Sequence, residues 1–136
     1  MASVSFVGFQ ENVEIPEGFQ RLEISETLHS SKSKDELFSL LSDPHKLTLW
    51  MGSVEKFDSR PGGKLRFTNG KQATCTSFQL GKSVSFISDE FGNFTAEVVK
   101  TNDGNSIQIS FAILTDEGEF KSKEIIELIE KLKENL

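Results

Sequence analysis

Residues 33–52 read SKDELFSLLSDPHKLTLWMG, and this stretch decides the fold. It opens with a capping box, in which the Ser33 hydroxyl accepts from an amide in the first turn and Glu36 accepts from the amide of Ser33. Asp43-Pro44 then ends the first helix and supplies the cap and first-turn proline of a second helix. We therefore predict two short helices joined at Asp43-Pro44, with the second helix ending at Gly52.

Alternating patterns on both sides of these helices predict an antiparallel sheet. From Phe19 the chain alternates between apolar and polar residues, which is typical of a half-buried strand. Glu26 is the one charged residue on the apolar face of that strand. A short strand is predicted near Val54 to Phe57, and five more strands follow Gly62-Gly63. The connections between them are short, so consecutive strands should pair antiparallel.

The turn lengths predict the register of the last five strands. A two-residue turn at Asn69-Gly70 and loops at 80–82, 89–93 and 102–105 set which residues face each other. The expected pairs are Phe67 with Gln72, Leu65 with Thr74, Phe78 with Val84, Thr76 with Phe86, Phe86 with Ala96, Val84 with Val98, Val98 with Ile109, and Ala96 with Phe111. This register places Phe67, Phe78, Phe86 and Phe111 on a single buried face, together with Thr74 and Thr76.

A helical period begins at about Gly118 and predicts an amphipathic helix that covers this face. Its apolar stripe recurs every three or four residues, and lysines and glutamates occupy the remaining positions. The stripe consists of Ile125, Leu128, Ile129, Leu132 and Leu136.

This order of elements and its motifs resemble the START-like (SRPBCC) superfamily, nearest to the family of homologues of the heat-shock-protein-90 ATPase activator. The motif residues are Asp35-Glu36-Leu37-Phe38, Asp43-Pro44-His45-Lys46-Leu47, Trp50 and Pro61-Gly62-Gly63. The resemblance covers about residues 20–135 and implies an α+β, helix-grip fold. In that fold a curved antiparallel sheet carries two short helices after its first strand and grips a C-terminal helix on its concave face. We expect residues 1–18 to be an N-terminal arm and residues 19–136 to be one START-like domain.

Composition narrows the function classes. The chain has 136 residues, of which 36% are hydrophobic and 26% charged, which suits a single domain with one core. Its net charge is −6 and we expect no cationic face, so neither nucleic acid nor a membrane is predicted as a partner. The single Cys75 cannot form an internal disulfide, and residues 1–10 show neither a signal-peptide nor a membrane-spanning pattern. These features favour a cytoplasmic location.

Catalytic chemistry is not predicted. His29 and His45 are the only histidines, both expected at the surface, and the chain has no Tyr. The usual arrangements of nucleophile, base and metal ligands are missing. We therefore expect no enzymatic activity, no cofactor and no metal. A START-like hydrolase or lyase stays open as a second alternative function.

The resemblance implies a small hydrophobic ligand held between the sheet and the last helix. The candidate cavity lining is Glu26, Trp50, Phe67, Thr74, Thr76, Phe78, Phe86, Ile109, Phe111, Ile125 and Ile129. Glu26 either pairs with a ligand group or reaches water, since an unpaired buried carboxylate is costly. Trp50 either lines the mouth of the cavity or plugs the core. Gly118-Glu119-Phe120 stands where relatives often carry Gly-Trp, so the cavity is expected to be small or filled.

The first alternative function is a co-chaperone-like module that contacts a chaperone or another protein through its surface. The resemblance to chaperone activators implies it. Those activators in full form carry an additional chaperone-binding domain, for which we expect no room in this chain. The sequence predicts neither the ligand nor the oligomeric state.

Overall fold

The computed structural model describes residues 15–136, which form seven strands and three helices. Most of the predicted N-terminal arm lies outside the described residues. No helix in the described part is long and apolar enough to cross a membrane. In chain order the elements are β1 (Gln20–Ser30), α1 (Lys34–Ser42), α2 (Pro44–Leu47), β2 (Val54–Phe57), β3 (Lys64–Phe67), β4 (Gln72–Gln79), β5 (Ser83–Ser88), β6 (Gly92–Thr101), β7 (Gly104–Thr115) and α3 (Gly118–Lys133).

All seven strands form one antiparallel sheet with the order β1-β7-β6-β5-β4-β3-β2. From β2 to β7 the strands follow one another as a meander, and β1 pairs with β7 along its whole length. Helix α1 packs on β5, β6 and β7, and α3 packs on β1 and β7. The fold is therefore the predicted α+β helix-grip architecture, with the helices on the concave face of a curved sheet.

The capping box predicted for α1 is confirmed. The Glu36 amide donates to the Ser33 hydroxyl at 3.2 Å, and the Ser33 amide donates to the Glu36 carboxylate at 3.1 Å. These hydrogen bonds from Ser33 lower the pKa of Glu36, because they stabilise its charged form. The buried stripe of α1 is also as predicted, and it consists of Leu37, Phe38, Leu40 and Leu41.

Helix α2 is shorter than predicted. Asp43 caps it and Pro44 lies in its first turn, as expected, but the helix ends at Leu47 and not at Gly52. The following residues form tight turns, and Gly52 has a φ of +119°. These turns direct Trp50 into the core, where it is 1% exposed.

The predicted register between β3 and β4 is wrong by one residue. Leu65 faces Ala73 and not Thr74, because the connecting loop has three residues instead of two. The Phe67 amide donates to Lys71 O at 2.9 Å and closes this loop, in which Gly70 has a φ of +90°. Ala73 therefore points into the core, and Thr74 points to the outer face of the sheet.

A β-bulge in β4 restores the predicted orientation farther along the strand. Cys75 faces Phe86 and Ser77 faces Ser85, so one extra residue, Thr76, is accommodated between them. The pairing of Phe78 with Val84 is confirmed. The prediction that Thr76 faces Phe86 is wrong.

The last two registers keep the predicted faces but are shifted by two residues. Val84 faces Ala96 and not Val98, and Phe86 faces Phe94 and not Ala96. The β6–β7 hairpin shows the same shift. Its observed pairs are Val98 with Ile107, Ala96 with Ile109, and Phe94 with Phe111. Both loops are tighter than expected, yet a two-residue shift leaves every side chain on its face.

The core lies between the concave face of the sheet and the helices. Phe86 and Phe111 are about 1% exposed, and Phe67 and Phe78 pack against the same core, so the predicted common face of the four phenylalanines is confirmed. In α3, Ile125, Ile129 and Leu132 are buried and Leu128 is half-buried. The predicted apolar stripe of the C-terminal helix is therefore confirmed.

Candidate functional site

Aromatic side chains fill the middle of the concave face, where the sequence predicted a small or filled cavity. Phe94 lies at the centre of this cluster, with its ring centroid 5.9 Å from that of Trp50, 5.9 Å from Phe86 and 4.9 Å from Phe111. Phe91 contacts both Phe94 and Phe111 from the β5–β6 loop. Such close ring contacts leave the centre of the domain packed, as in an ordinary protein core.

Trp50 is part of this packing and does not line a cavity mouth. Its indole N–H donates to Leu40 O at 2.8 Å, which satisfies the one polar group of the buried side chain. Trp50 therefore fixes the turn after α2 against the end of α1.

Two residues that were predicted to contact a ligand, Thr74 and Thr76, point away from the concave face. Thr76 is exposed in the bulge of β4, and Thr74 lies on the outer face of the sheet. The Thr74 hydroxyl accepts from the Lys64 ammonium at 2.7 Å, across the β3–β4 pair. Neither threonine can offer a hydroxyl to the concave face, because the loop and the bulge place both side chains outside it.

Glu26 lies on the concave side of β1, as predicted, and it is paired within the protein. Its carboxylate lies 2.6 Å from the ammonium of Lys133 on α3, and both side chains are about 39% exposed. The hydrogen bond to Glu26, followed by that to Glu130, raises the pKa of Lys133. Glu26 thus joins the sheet to the last helix, and its partner is not a ligand.

A groove of about 540 Å³ opens at one end of the domain, between α3 and the hairpin of β3 and β4. The turn after α2 and the β5–β6 loop complete its walls. Its apolar floor is formed by Met51, Phe67, Phe91, Ile125 and Leu128, and its rim carries Ser53, Thr68, Asn69, Lys71, Glu90, Glu124, Glu127 and Lys131. An apolar floor with polar groups at the rim is the usual composition of a ligand site.

Ion pairs join the loops to the helix across the rim of this groove. The Lys71 ammonium lies 2.5 Å from the Glu90 carboxylate, which raises the pKa of Lys71. Lys121 on α3 donates to Glu90 O at 3.1 Å and lies 3.2 Å from Glu124. Glu90 therefore connects the β3–β4 hairpin to α3 at the rim of the groove.

The sequence identified only part of this groove. Of the eleven predicted lining residues, Phe67 and Ile125 contribute to it. Phe78, Phe86, Ile109 and Ile129 lie in or against the packed core instead. Phe94 lies two residues before Ala96 in the predicted strand, so the alternation of that strand indicates a core position for Phe94. Phe91 and Met51 lie in connecting segments, which have no regular alternation of apolar and polar residues. The sequence pattern therefore did not predict their place in the groove.

Comparisons with known proteins agree with this fold. The family model described as Activator of Hsp90 ATPase homolog 1-like protein matches residues 32–88, which include both α1 and α2. No curated protein matches the chain significantly.

Solved structures match most of the described chain at low sequence identity. A Bacillus halodurans protein has a TM-score of 0.67 at 16% identity, covering 85% of this chain and 97% of its own. The AHSA1-like protein from Aeromonas hydrophila has a TM-score of 0.66 at 15% identity, covering 84% and 91%. A Staphylococcus aureus protein of unknown function has a TM-score of 0.66 at 13% identity, covering 86% and 94%. The family match and the shared fold confirm the predicted resemblance of this chain to the START-like superfamily, nearest to the Hsp90 ATPase activator homologue-like family.

Proposed function

We propose that the protein binds a small, mainly apolar ligand in the groove between α3 and the β3–β4 hairpin. The groove itself carries this proposal, because its volume of about 540 Å³ falls within the usual range of ligand pockets. The proposed function is binding alone, without a catalytic residue.

The lining supports a ligand with an apolar body and a polar end. Phe67 on β3 and Leu128 on α3 belong to the apolar floor of the groove, and both are only half-buried against the core. A ligand between them would remove their remaining apolar surface from water, at about 25 cal/mol for each Å². The polar end would lie at the rim, where charged side chains and water are available.

The packed aromatic cluster explains why the site is at one end of the domain. START-like proteins are expected to hold ligands between the sheet and the last helix, and here Trp50 and Phe94 occupy the centre of that space. The space that remains along α3 is next to Ile125 and Leu128. We therefore place the ligand farther toward the β3–β4 hairpin than the sequence had predicted.

A co-chaperone-like function is the alternative. The match of residues 32–88 to a family described by chaperone ATPase activation supports it. In that case the same groove would receive an apolar side chain of a partner protein, with the rim ion pairs facing the partner.

Titration with a ligand panel, followed by amide NMR, tests the ligand proposal. At least one compound among fatty acids, sterols and aromatic polyketides should shift the amide signals of Gly52, Asn69 and Leu128, which line or adjoin the groove. The variant Leu128→Trp should abolish binding by filling the groove. Ile126→Trp is the matched control, since Ile126 is 47% exposed on α3 and does not line the groove.

Two outcomes would contradict ligand binding: no compound shifts these signals, or Leu128→Trp binds as well as the unchanged protein. The alternative function predicts a different result. A purified chaperone of the Hsp90 type would then broaden the same signals, and Leu128→Trp would reduce that effect.

A further inference from the structure

A second concave site, of about 560 Å³, lies on the hairpin of β2 and β3. Four cations line it, namely Lys56, Arg60, Lys64 and Arg66, and Asp58 is the one carboxylate in its lining. None of these residues contributes to the groove beside α3.

The hairpin concentrates positive charge in an acidic protein. Residues 56–66 contain four cations and one carboxylate, a local net charge of +3, whereas the whole chain has a net charge of −6. We had expected the basic residues to be dispersed without forming a cationic face, and at this hairpin the structure contradicts that expectation. A local concentration of positive charge attracts anions, so this hairpin is the part of the acidic protein that would favour an anionic partner.

Within the part of the chain that the structure describes, only one of these four cations, Arg60, is neutralised by an ion pair. Asp58 is occupied by Arg60, whose Nε lies 2.8 and 3.0 Å from the two carboxylate oxygens. Lys56, Lys64 and Arg66 have no ion-pair partner within residues 15–136, since no carboxylate oxygen lies within 4.0 Å of their side-chain nitrogens.

The arrangement also carries an electrostatic cost that a bound anion would remove. Lys56 and Arg66 face each other directly on β2 and β3, and like charges in such cross-strand pairs destabilise a sheet. Both residues are exposed. An anion between them would convert this repulsion into two attractive contacts.

The backbone holds the site in a defined shape. At Gly63 a Cβ atom would lie 2.0 Å from Asp58 O, so the turn closes only with glycine at this position. The Gly62 amide donates to Cys75 O at 2.7 Å, and the Cys75 amide donates to Gly63 O at 2.8 Å. Lys64 is also restrained, because its ammonium donates to the Thr74 hydroxyl. Lys56, Lys64 and Arg66 thus belong to paired strands, and Arg60 belongs to the turn that these contacts close.

We propose that this hairpin binds a phosphate monoester dianion through Lys56, Lys64 and Arg66, with Arg60 at the rim. The compact arrangement favours phosphate over an extended acidic segment, because the four cations belong to only two strands and one turn. Arginine donates in a planar fork that matches phosphate oxygens, and lysine adds a point charge. The phosphate can belong to a phosphorylated protein or to a small phosphate ester, and the chemistry of recognition is the same.

Amide NMR titrations test the proposal. The probes are inorganic phosphate, a short phosphoserine peptide, its unphosphorylated and glutamate forms, and inositol trisphosphate. We expect the phosphate-bearing probes to shift the signals of Gly62, Gly63 and Lys64, and the unphosphorylated peptide to leave them unchanged. Replacing Lys56 and Arg66 together by Gln should weaken binding at least about tenfold, as expected for the loss of two charge-assisted contacts. If the phosphoserine peptide binds more tightly than inositol trisphosphate, the natural phosphate belongs to a phosphorylated protein. If inositol trisphosphate binds more tightly, it belongs to a small phosphate ester. Either result supports the site.

A matched double variant, Lys82→Gln with Lys100→Gln, changes the net charge equally at two exposed positions outside the site and should bind phosphate normally. Thermal unfolding shows whether the Lys56/Arg66 variant folds, and its melting temperature should be unchanged or higher because the like-charge pair is removed. A single-stranded oligonucleotide is added as a further control probe. Three results would overturn the proposal. They are that no phosphate probe shifts these signals, that both double variants weaken binding equally, or that the oligonucleotide or the glutamate peptide binds as tightly as the phosphoserine peptide.

Discussion

Glu26 on β1 and Lys133 near the end of α3 form an ion pair of 2.6 Å that links the first strand to the last helix. Because Glu26 raises the pKa of Lys133 above its ordinary value of 10.5, the pair adds stability while the ammonium is charged. The contribution is fully present below the pKa of the unfolded chain and is lost as the pH rises through the folded value.

Glu26→Gln should therefore reduce stability near neutral pH and make no difference at strongly alkaline pH. Urea unfolding of both proteins, from about pH 8 into the strongly alkaline range, measures this pH dependence. Glu23→Gln is the control, since Glu23 lies on the other face of β1 and pairs with Arg21 instead. A stability difference for Glu26→Gln that persists unchanged above the pKa of Lys133 would contradict the assignment.

Phe111→Ala should lower the free energy of unfolding by about 3–5 kcal/mol. Phe111 is 1% exposed and contacts both Phe91 and Phe94, so its removal leaves a cavity at the centre of the aromatic cluster. Chemical denaturation provides the measurement. Leu114→Ala on the same strand is the control and should cost much less, because Leu114 is 44% exposed.

Gly63→Ala should destabilise the protein more than Gly70→Ala. At Gly70 an added Cβ meets nothing within 4 Å, and the cost is only that of a left-handed residue, about 1–2 kcal/mol. At Gly63 the added atom would overlap Asp58 O and force the β2–β3 turn open. Thermal unfolding of the two variants gives the ranking, and equal losses would mean that the turn adapts freely.

A chain ending at Glu117 should lose its cooperative thermal transition and bind a hydrophobic dye. Without α3 the concave face loses the cover provided by Ile125, Ile129 and Leu132, all of which are buried. Calorimetry and dye fluorescence measure the two effects. Melting like that of the full chain would show that α3 is not part of the core.

Local signals predicted most of the fold. The capping box is predicted from Ser33 and Glu36, which are three residues apart. The first strand is predicted from apolar residues that recur every second position from Phe19. The register of β4 could not be predicted in this way. It depends on a three-residue loop ending at Gly70 and on the bulge at Thr76, which are stabilised by contacts with other strands.

The candidate sites were less predictable because they combine residues that are distant in sequence. Phe67 and Ile125 meet at the groove although 58 positions separate them, and Phe91 joins them from a loop without a period. The phosphate site is different in this respect. Its four cations lie within eleven consecutive residues, but only the hairpin pairing of Lys56 with Arg66 shows that they share one face.

The pairing of β1 with β7 has a consequence for folding during translation. Ser30 donates its hydroxyl to Leu136 O, across 106 positions of sequence, and α3 packs on β1. Leu136 must therefore emerge from the ribosome before β1 can make all of its contacts with β7 and α3. The meander from β2 to β7 needs only neighbouring hairpins, so it can assemble earlier. Until then β1 is an exposed half-apolar strand, and this interval is when the nascent chain most needs protection from aggregation.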